Sequence, residues 1–280
     1  MEMKNIGILT YHRVFNFGSL LQTYALQHYL EKMHCNVEVI DYYPDRLKKK
    51  KLLFYVNPNW RNPFYKRIVY LIPAVITRLF GYKMMDDFLK KYIKLTPDSY
   101  ERVDDLIANL PKEDIYMNGS DQIWNVDTAD GVIDDVFFMK FLPDDAIKTA
   151  YAGSFGKDDF RESDIKKIGE CLNKYKAVSV REKSGLLVLE KAGIKNGKWV
   201  LDPTFLLNMS EWLEIGAEIK LPKRYVLVYN LNRNPRITNL AKRIAAKKSL
   251  PIVNFAHSFV FCRLSGQTDT CAIFGGQSET

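Results

Sequence analysis

Cysteine is scarce in this sequence, and the few cysteines do not form a recognisable site. The four cysteines among 280 residues are far apart, form no CxxC pair and have no histidine at the spacing of metal ligands. This argues against a zinc site and against a disulfide framework, and it is typical of ordinary thiols in a reducing compartment. We therefore expect no metal and a cytoplasmic protein.

The sequence also lacks a long apolar run and the features of a secretory signal. Its most hydrophobic later stretch, residues 68–80, is interrupted by Pro73 and Arg78. That stretch is shorter than the roughly 20 residues that cross a bilayer. The N-terminus has no basic region, no long apolar core and no small-residue cleavage site. We expect neither a membrane-spanning helix nor export.

Acidic residues are rare in one segment, which holds most of the excess positive charge. Residues 46–94 contain 13 lysines and arginines and only two acidic residues, and aromatic side chains alternate with the cations. A solvated basic segment, helical from about residue 66, is the common explanation, and contact with anionic lipid headgroups is a second one. Nothing there matches a nucleic-acid recognition module, so we expect no nucleic-acid partner.

The chain opens with the pattern of a strand, a turn and a helix. The apolar run at residues 6–11 is typical of a buried parallel strand, and a turn with Asn16 and Gly18 follows it. Apolar residues at helical spacing come next, and a second strand-like run occupies 37–41. This order predicts a right-handed βαβ unit whose turn lies at the carboxyl edge of a parallel sheet, where such folds bind ligands.

Further strand-like runs predict the domain organisation. Those at 115–118, 149–154 and 177–181 extend the first sheet, and a new strand, helix and strand occupy 225–256. We predict an α/β fold with a Rossmann-like domain at 1–205 that carries a basic helical insertion at about 46–94, a linker at 206–224, a partial second Rossmann-like domain at 225–260 and an irregular tail at 261–280.

Four stretches carry a resemblance to a known family: NFGSLLQTYALQHYL at 16–30, NGSDQIWN at 118–125, AVSVREKSG at 177–185 and VLDPTFLL at 200–207. With AYAGSFG between the second and the third, they resemble the polysaccharide pyruvyl transferase family in its own order, over residues 4–258. The resemblance implies two Rossmann-like domains that face each other in a GT-B-like arrangement. It also implies transfer of a pyruvyl group from phosphoenolpyruvate to two hydroxyls of one sugar, which forms a cyclic ketal and releases phosphate.

Arg181 is the first candidate for binding the donor. The donor carries three negative charges, and the fork of a guanidinium matches the geometry of both phosphate and carboxylate. The matching family motif carries an arginine of the donor site. The alternative is that Arg181 forms an ion pair with Glu182 or another surface acid.

Asn16, Gly18 and Ser19 are further candidates for the donor site. They begin a helix whose free N–H groups and dipole favour an anion. The alternative is that Ser19 caps the helix and Gly18 turns the chain.

The NGSDQIWN stretch supplies the candidates for catalysis and for sugar binding. Asp121 could accept a proton from a sugar hydroxyl, Gln122 and Asn125 could bind hydroxyls, and Trp124 could stack on a pyranose ring. Alternatively, Asp121 caps a short helix and Trp124 fills the core. His12 could donate a proton, although a lone histidine is more often structural.

The resemblance also sets expectations about ligands and location. It implies phosphoenolpyruvate as donor substrate with no further cofactor, a sugar or lipid-linked oligosaccharide as acceptor, and a role in surface polysaccharide biosynthesis. Residues 46–94 are expected to make a peripheral contact at the inner face of the membrane. The alternative is a non-catalytic protein that binds sugars or anionic lipids.

The end of the sequence departs from the family. Family members usually continue to a Ser-Phe-His-Gly or Arg-Leu-His-Gly motif that helps to bind the donor, and no such motif occurs here. The remaining strands are few for an open sheet, so we expect an incomplete second domain and impaired transfer. A frameshift, a fragment and a genuine short form are all consistent with this pattern.

Overall fold

The computed structural model describes residues 3–14, 16–47, 64–129, 133–216, 221–230, 234–255 and 270–272. The chain divides into two compact units. The first unit comprises residues 1–48 and 85–208, and the second comprises 49–84 and 209–280. The arrangement of two facing domains stays a prediction.

The first unit is an α/β structure with seven described strands. The strands are β1 (Asn5–Leu9), β2 (Asn36–Tyr42), β3 (Leu95–Tyr100), β4 (Ile115–Asn118), β5 (Lys148–Gly153), β6 (Ala177–Val180) and β7 (Lys198–Trp199). The helices are α1 (Phe17–Lys32), α3 (Val103–Ala108), α4 (Glu162–Leu172), α5 (Lys183–Lys191) and the part from residue 85 onward of α2 (Phe64–Tyr92), whose residues 64–84 belong to the second unit. Short 3-10 turns occupy Asp45–Leu47, Val126–Ala129 and Pro203–Phe205.

The strands form one parallel sheet in the order β3-β2-β1-β4-β5-β6-β7. Every neighbouring pair is parallel. The order reverses between β1 and β4, and the crevice at the carboxyl ends of two such strands is where doubly wound sheets bind ligands. The predicted Rossmann-like α/β fold and its parallel sheet are therefore confirmed.

Helix α1 is covered on nearly all sides, which fixes the position of its first turn. Leu20 and Leu26 are buried, and the ring of Tyr24 packs against Phe88 and Tyr92 at the end of α2. The side-chain oxygen of Gln27 accepts a hydrogen bond from the backbone N–H of residue 94 at 2.9 Å. Because these contacts cover α1, they fix the position of its N-terminus at the carboxyl edge of the sheet.

Strand β3 was not predicted from the sequence. It contains Pro97 and exposed polar residues at the centre, and among the described strands it pairs with β2 alone, at the border of the sheet. Proline cannot donate to a strand ladder, and it is tolerated at an edge because one side of an edge strand needs no partner. The edge position therefore explains a strand without the usual apolar pattern.

Helix α2 is the described part of the basic segment. It begins at Phe64, close to the predicted start at about residue 66. Residues 48–63 of the predicted insertion lie outside the described residues. No helix in the described ranges is long and apolar enough to cross a membrane.

The second unit contains a smaller parallel sheet. Its elements are α6 (Met209–Ile215), β8 (Val226–Tyr229), α7 (Pro235–Lys248), β9 (Ile252–Phe255) and β10 (Thr270–Ala272), with strand order β10-β9-β8. Asn234 caps α7 by accepting a hydrogen bond from the N–H of Arg236. The predicted strand, helix and strand are present, α6 lies within the predicted linker, and β10 lies within the predicted irregular tail.

Glu113 is a carboxyl group whose pKa is strongly raised, and it lies beside a pocket of about 310 Å³ near the starts of β1 and β2. Burial, followed by the charges of Glu38 and Asp114, raises the pKa of Glu113 from 4.5 to about 7. A raised pKa means that the folded chain holds this proton more tightly than the unfolded chain does. The contribution of Glu113 to stability therefore falls as the pH rises from about 4.5 to about 7.

Replacing Glu113 by glutamine should stabilise the protein selectively above neutral pH. Because the side chain is only partly buried, we expect a gain on the order of 1 kcal/mol at about pH 8 and a smaller gain at about pH 5. Thermal unfolding of both proteins at the two pH values measures this difference. The control is Glu190→Gln on the exposed surface of α5, and an equal gain for Glu113→Gln at both pH values would contradict the prediction.

Candidate active site at the carboxyl edge of the large sheet

The segments that follow four neighbouring strands are bound to one another at the carboxyl edge. Thr10 Oγ1, after β1, donates to the carbonyl of Ser120, after β4, at 2.6 Å. The N–H of Ser154, after β5, donates to the carbonyl of Asp121 at 3.0 Å, and the N–H of Arg181, after β6, donates to the carbonyl of residue 153 at 3.1 Å. The side chains of these segments therefore converge on one region.

Two carboxylates hold the guanidinium of Arg181 in this region. Its Nε donates to Glu182 Oε1 at 2.9 Å and its Nη1 donates to Asp202 Oδ2 at 3.0 Å. Burial alone would lower the pKa of Arg181, but these two hydrogen bonds and their charges outweigh burial and raise it. The alternative prediction, an ion pair between Arg181 and Glu182, is confirmed. The role of Arg181 in donor binding stays a prediction.

Part of the Arg181 guanidinium remains available. The side chain is 26% exposed. Within the described ranges, no side chain or carbonyl accepts a hydrogen bond from Nη2. One edge of the fork can therefore donate to an added anion without breaking either ion pair.

Buried hydroxyls and a short turn fix the two carboxylates beside Arg181. Ser120 donates to Asp202 Oδ2 at 3.1 Å, and Ser154 donates to Glu182 Oε1 at 2.9 Å. The other oxygen of Asp202 accepts from the N–H and the hydroxyl of Thr204 at 3.0 and 2.8 Å. Hydrogen bonds from these hydroxyl and N–H groups therefore orient the two carboxylates, in addition to their ion pairs with Arg181.

Asp121 and Ser19, predicted for different roles, lie in direct contact. The Ser19 hydroxyl donates to Asp121 Oδ2, and the N–H of Gln122 donates to Asp121 Oδ1 at 2.8 Å. Asp121 has a φ of 80°, in the left-handed region that aspartate tolerates better than most residues. The two hydrogen bonds fix the orientation of the carboxylate at the start of α1.

Asn16, rather than Ser19, caps α1. Its side-chain oxygen accepts from the N–H of Gly18 at 2.9 Å. This leaves the Ser19 hydroxyl for Asp121, so the capping alternative for Ser19 is wrong. Asn16, Gly18 and Ser19 do lie at the carboxyl edge, as predicted, but their role in donor binding is not decided by this geometry.

Gln122 and Asn125 are brought together over a glycine. Asn125 Nδ2 donates to Gln122 Oε1 at 2.8 Å. Gly156, which has a φ of 69°, lies beneath both, and a Cβ there would be 2.4 Å from Asn125 Nδ2. Gln122 is exposed, so its amide N–H groups face solvent at this edge.

The structure places Trp124 in the core instead of at a sugar site. The side chain is 1% exposed, and its Nε1 donates to the carbonyl of Phe137 at 3.1 Å. A Cβ on Gly153 would lie 2.6 Å from the indole ring, which shows how closely the strand covers it. The ring has no open face on which a pyranose could stack, in agreement with the core role that the sequence also allowed.

The side chains that meet at this edge, from Asn16 to Asp202, all lie in a part of the chain with recognisable relatives. Residues 16–264 match the family model of polysaccharide pyruvyl transferase. The chain belongs to this family. No curated protein matches the sequence. In this pyruvyl transferase family member, Arg181, Asp121 and Ser19 meet at the carboxyl edge of the sheet, where doubly wound folds bind ligands.

In this pyruvyl transferase family member, His12 belongs to a separate buried ion cluster. The side chain is 1% exposed, and its ring nitrogens lie 3.0 Å from the Thr10 carbonyl and 2.9 Å from Asp41 Oδ1. Arg13 binds the same carboxylate through two hydrogen bonds of 2.6 and 2.7 Å. Burial would raise the pKa of Asp41, but the bonds from Arg13 and His12 hold it well below its usual range. His12 thus has the structural role that the sequence favoured.

Several site residues were not found by sequence reasoning. Four polar residues form an ionic cluster with Arg181: Asp202, Glu182, Ser120 and Ser154. Of these, the sequence indicated only Glu182, as a surface ion-pair partner of Arg181. Asp202 did carry a signal, because an acid directly before Pro203 is typical of the cap of a helical turn. The two serines carried none, because their contacts join residues at least 28 positions apart.

Proposed function

We propose that this protein transfers the pyruvyl group of phosphoenolpyruvate to two hydroxyls of one sugar, in the cytoplasmic biosynthesis of a surface polysaccharide. Membership in the polysaccharide pyruvyl transferase family supports the general function. The observation that carries the specific proposal is a partly free guanidinium, Arg181, at the carboxyl edge of a doubly wound sheet, next to an oriented carboxylate, Asp121.

The proposed reaction consumes no cofactor. Protonation of the methylene carbon of phosphoenolpyruvate makes the neighbouring carbon electrophilic, and the first sugar hydroxyl forms a C–O bond to it. The C–O bond to phosphate breaks, and the second hydroxyl forms the other C–O bond of the ketal. One hydroxyl proton balances the proton added to carbon, and the other leaves with hydrogen phosphate.

The donor is proposed to bind at Arg181 and at the first turn of α1. Nη2 of Arg181 would donate to the phosphate or the carboxylate, and the first turn of α1 at Asn16, Gly18 and Ser19 would bind the other anionic group through N–H groups other than those of Asn16 and Gly18, which already donate within the chain. Asp121, Glu182 and Asp202 make the net charge of this edge negative. The donor must therefore be held by directed hydrogen bonds rather than by a general positive field.

Asp121 is proposed as the base that accepts the proton of the first sugar hydroxyl. Its contacts with Ser19 and the N–H of Gln122 use one lone pair on each oxygen, so a second lone pair remains for the substrate. The side-chain amides of Gln122 and Asn125 are proposed to bind other hydroxyls of the acceptor. No group of carboxylates, histidines or cysteines that could hold a metal ion occurs in the described part of the chain.

The proposal is tested by incubating the protein with phosphoenolpyruvate and a panel of methyl pyranosides. Phosphorus NMR should show inorganic phosphate that forms only when an acceptor is present, and proton NMR should show the new ketal methyl group. Loss of phosphoenolpyruvate at the same rate without an acceptor would contradict the proposal. Sugar or anionic-vesicle binding without any effect of phosphoenolpyruvate would favour the non-catalytic alternative, including a peripheral contact through residues 46–94.

A further inference from the structure

Trp199 is a large aromatic side chain that is anchored but largely open to solvent. It lies in β7 at the border of the sheet, where it pairs with residue 180 of β6. Its Nε1 donates to the carbonyl of Arg181 at 3.1 Å, yet 55% of its surface is exposed. Because an indole is flat, exposure of this extent leaves at least one ring face largely uncovered. The hydrogen bond therefore fixes a ring that a ligand can still reach.

The ionic cluster of the residue that anchors Trp199 is suited to hydroxyls. The backbone carbonyl that accepts from the indole belongs to Arg181, whose side chain binds Glu182 and Asp202 at 2.9 and 3.0 Å. Both oxygens of Asp202 already accept two hydrogen bonds each, whereas Oε2 of Glu182 can accept from a hydroxyl and the guanidinium can donate to one. An aromatic face near such groups is the combination that a pyranose requires, since one side of the sugar ring carries C–H groups and its rim carries hydroxyls.

The apolar surface continues along the same segment. Leu201 is 61% exposed and Phe205 is 72% exposed, and they flank Asp202 in sequence. Exposed apolar side chains that follow one another along a short segment offer a surface for a ligand. The same segment contains Asp202, a member of the ionic cluster.

We propose that Trp199 is the platform on which the pyranose ring of the acceptor stacks, with a hydroxyl of the sugar directed to Oε2 of Glu182. This assignment rests on the proposed function, since it names the acceptor subsite of that reaction. It gives to Trp199 the role that the sequence gave to Trp124, whose ring is covered. Stacking beside Arg181 brings the acceptor hydroxyls to the donor that Arg181 is proposed to hold.

The test separates acceptor binding from donor binding. In the phosphate-release assay, Trp199→Ala should raise the KM for the best methyl pyranoside about tenfold and leave the KM for phosphoenolpyruvate within about twofold. Trp199→Phe keeps an aromatic face and should retain most of the affinity. Ile107→Ala is the matched control, because it removes another apolar side chain with 58% exposure, on α3 near the opposite border of the sheet.

Saturation-transfer NMR with the same methyl pyranosides makes the test independent of turnover. If the wild type binds a sugar and Trp199→Ala does not, the subsite stands even when no phosphate is released and the proposed reaction fails. If turnover occurs with an unchanged sugar KM in Trp199→Ala, the subsite is overturned and the reaction stands. No sugar binding by the wild type, or a variant that changes only the oligomeric state, would also overturn the subsite.

Discussion

Arg181→Ala is expected to remove the thermal protection that phosphoenolpyruvate gives to the wild type and to lower kcat/KM about 10²- to 10³-fold. A ligand that binds only the folded state raises its unfolding temperature, so the protection reports donor binding directly. Loss of a preorganised cation next to developing negative charge commonly costs this much in rate. Differential scanning fluorimetry with and without phosphoenolpyruvate, together with the phosphate-release assay, measures both effects.

Two further variants show whether the effect depends on the fork of the guanidinium. Arg181→Lys keeps the charge but not the fork, and we expect intermediate protection. Arg102→Ala is the control, because it removes an exposed arginine that pairs with Asp104 elsewhere on the first unit. Full protection of Arg181→Ala by phosphoenolpyruvate would show that Arg181 does not bind the donor.

Asp41→Asn is expected to destabilise the first unit by about 3–5 kcal/mol, because it leaves the Arg13 guanidinium without its buried counter-charge. The Asp41 side chain is 5% exposed and binds both Arg13 and His12. Because the pKa of Asp41 is depressed in the folded chain, its contribution is present above about pH 4 and is lost as the pH falls further. Urea unfolding at neutral pH measures the loss.

The matched control for Asp41→Asn is Asp144→Asn. Asp144 pairs with Lys174 at 2.7 Å, but its side chain is 84% exposed. Solvent screens such a pair, so we expect no resolvable change in unfolding. An equal effect of both substitutions, or no effect of Asp41→Asn, would show that the buried cluster does not stabilise the fold.

The alternating order of strands and helices was sufficient to predict the parallel sheet. The predicted strand at 115–118 has the observed bounds, and most of the others agree within one or two residues. Strands β1 and β2 are buried on both faces over most of their length, which is the pattern that a covered parallel strand requires. β3 was missed because an edge strand needs neither that pattern nor a full set of N–H donors, as Pro97 shows.

The site was only partly predictable because it depends on which residues the sheet order brings together. Arg181 and Asp121 each follow a strand, so their place at the carboxyl edge follows from local sequence. Whether a tryptophan faces solvent or core does not follow from its neighbours in sequence. The covered ring of Trp124 depends on Gly153 in the adjacent strand, and the open ring of Trp199 depends on the border position of β7.

A crystal structure of the protein with phosphoenolpyruvate tests the proposed donor site most directly. We expect a phosphate or carboxylate oxygen of the donor within about 3 Å of the Arg181 guanidinium, near the first turn of α1. A donor bound elsewhere, or a guanidinium that turns away from it, would contradict the proposed site.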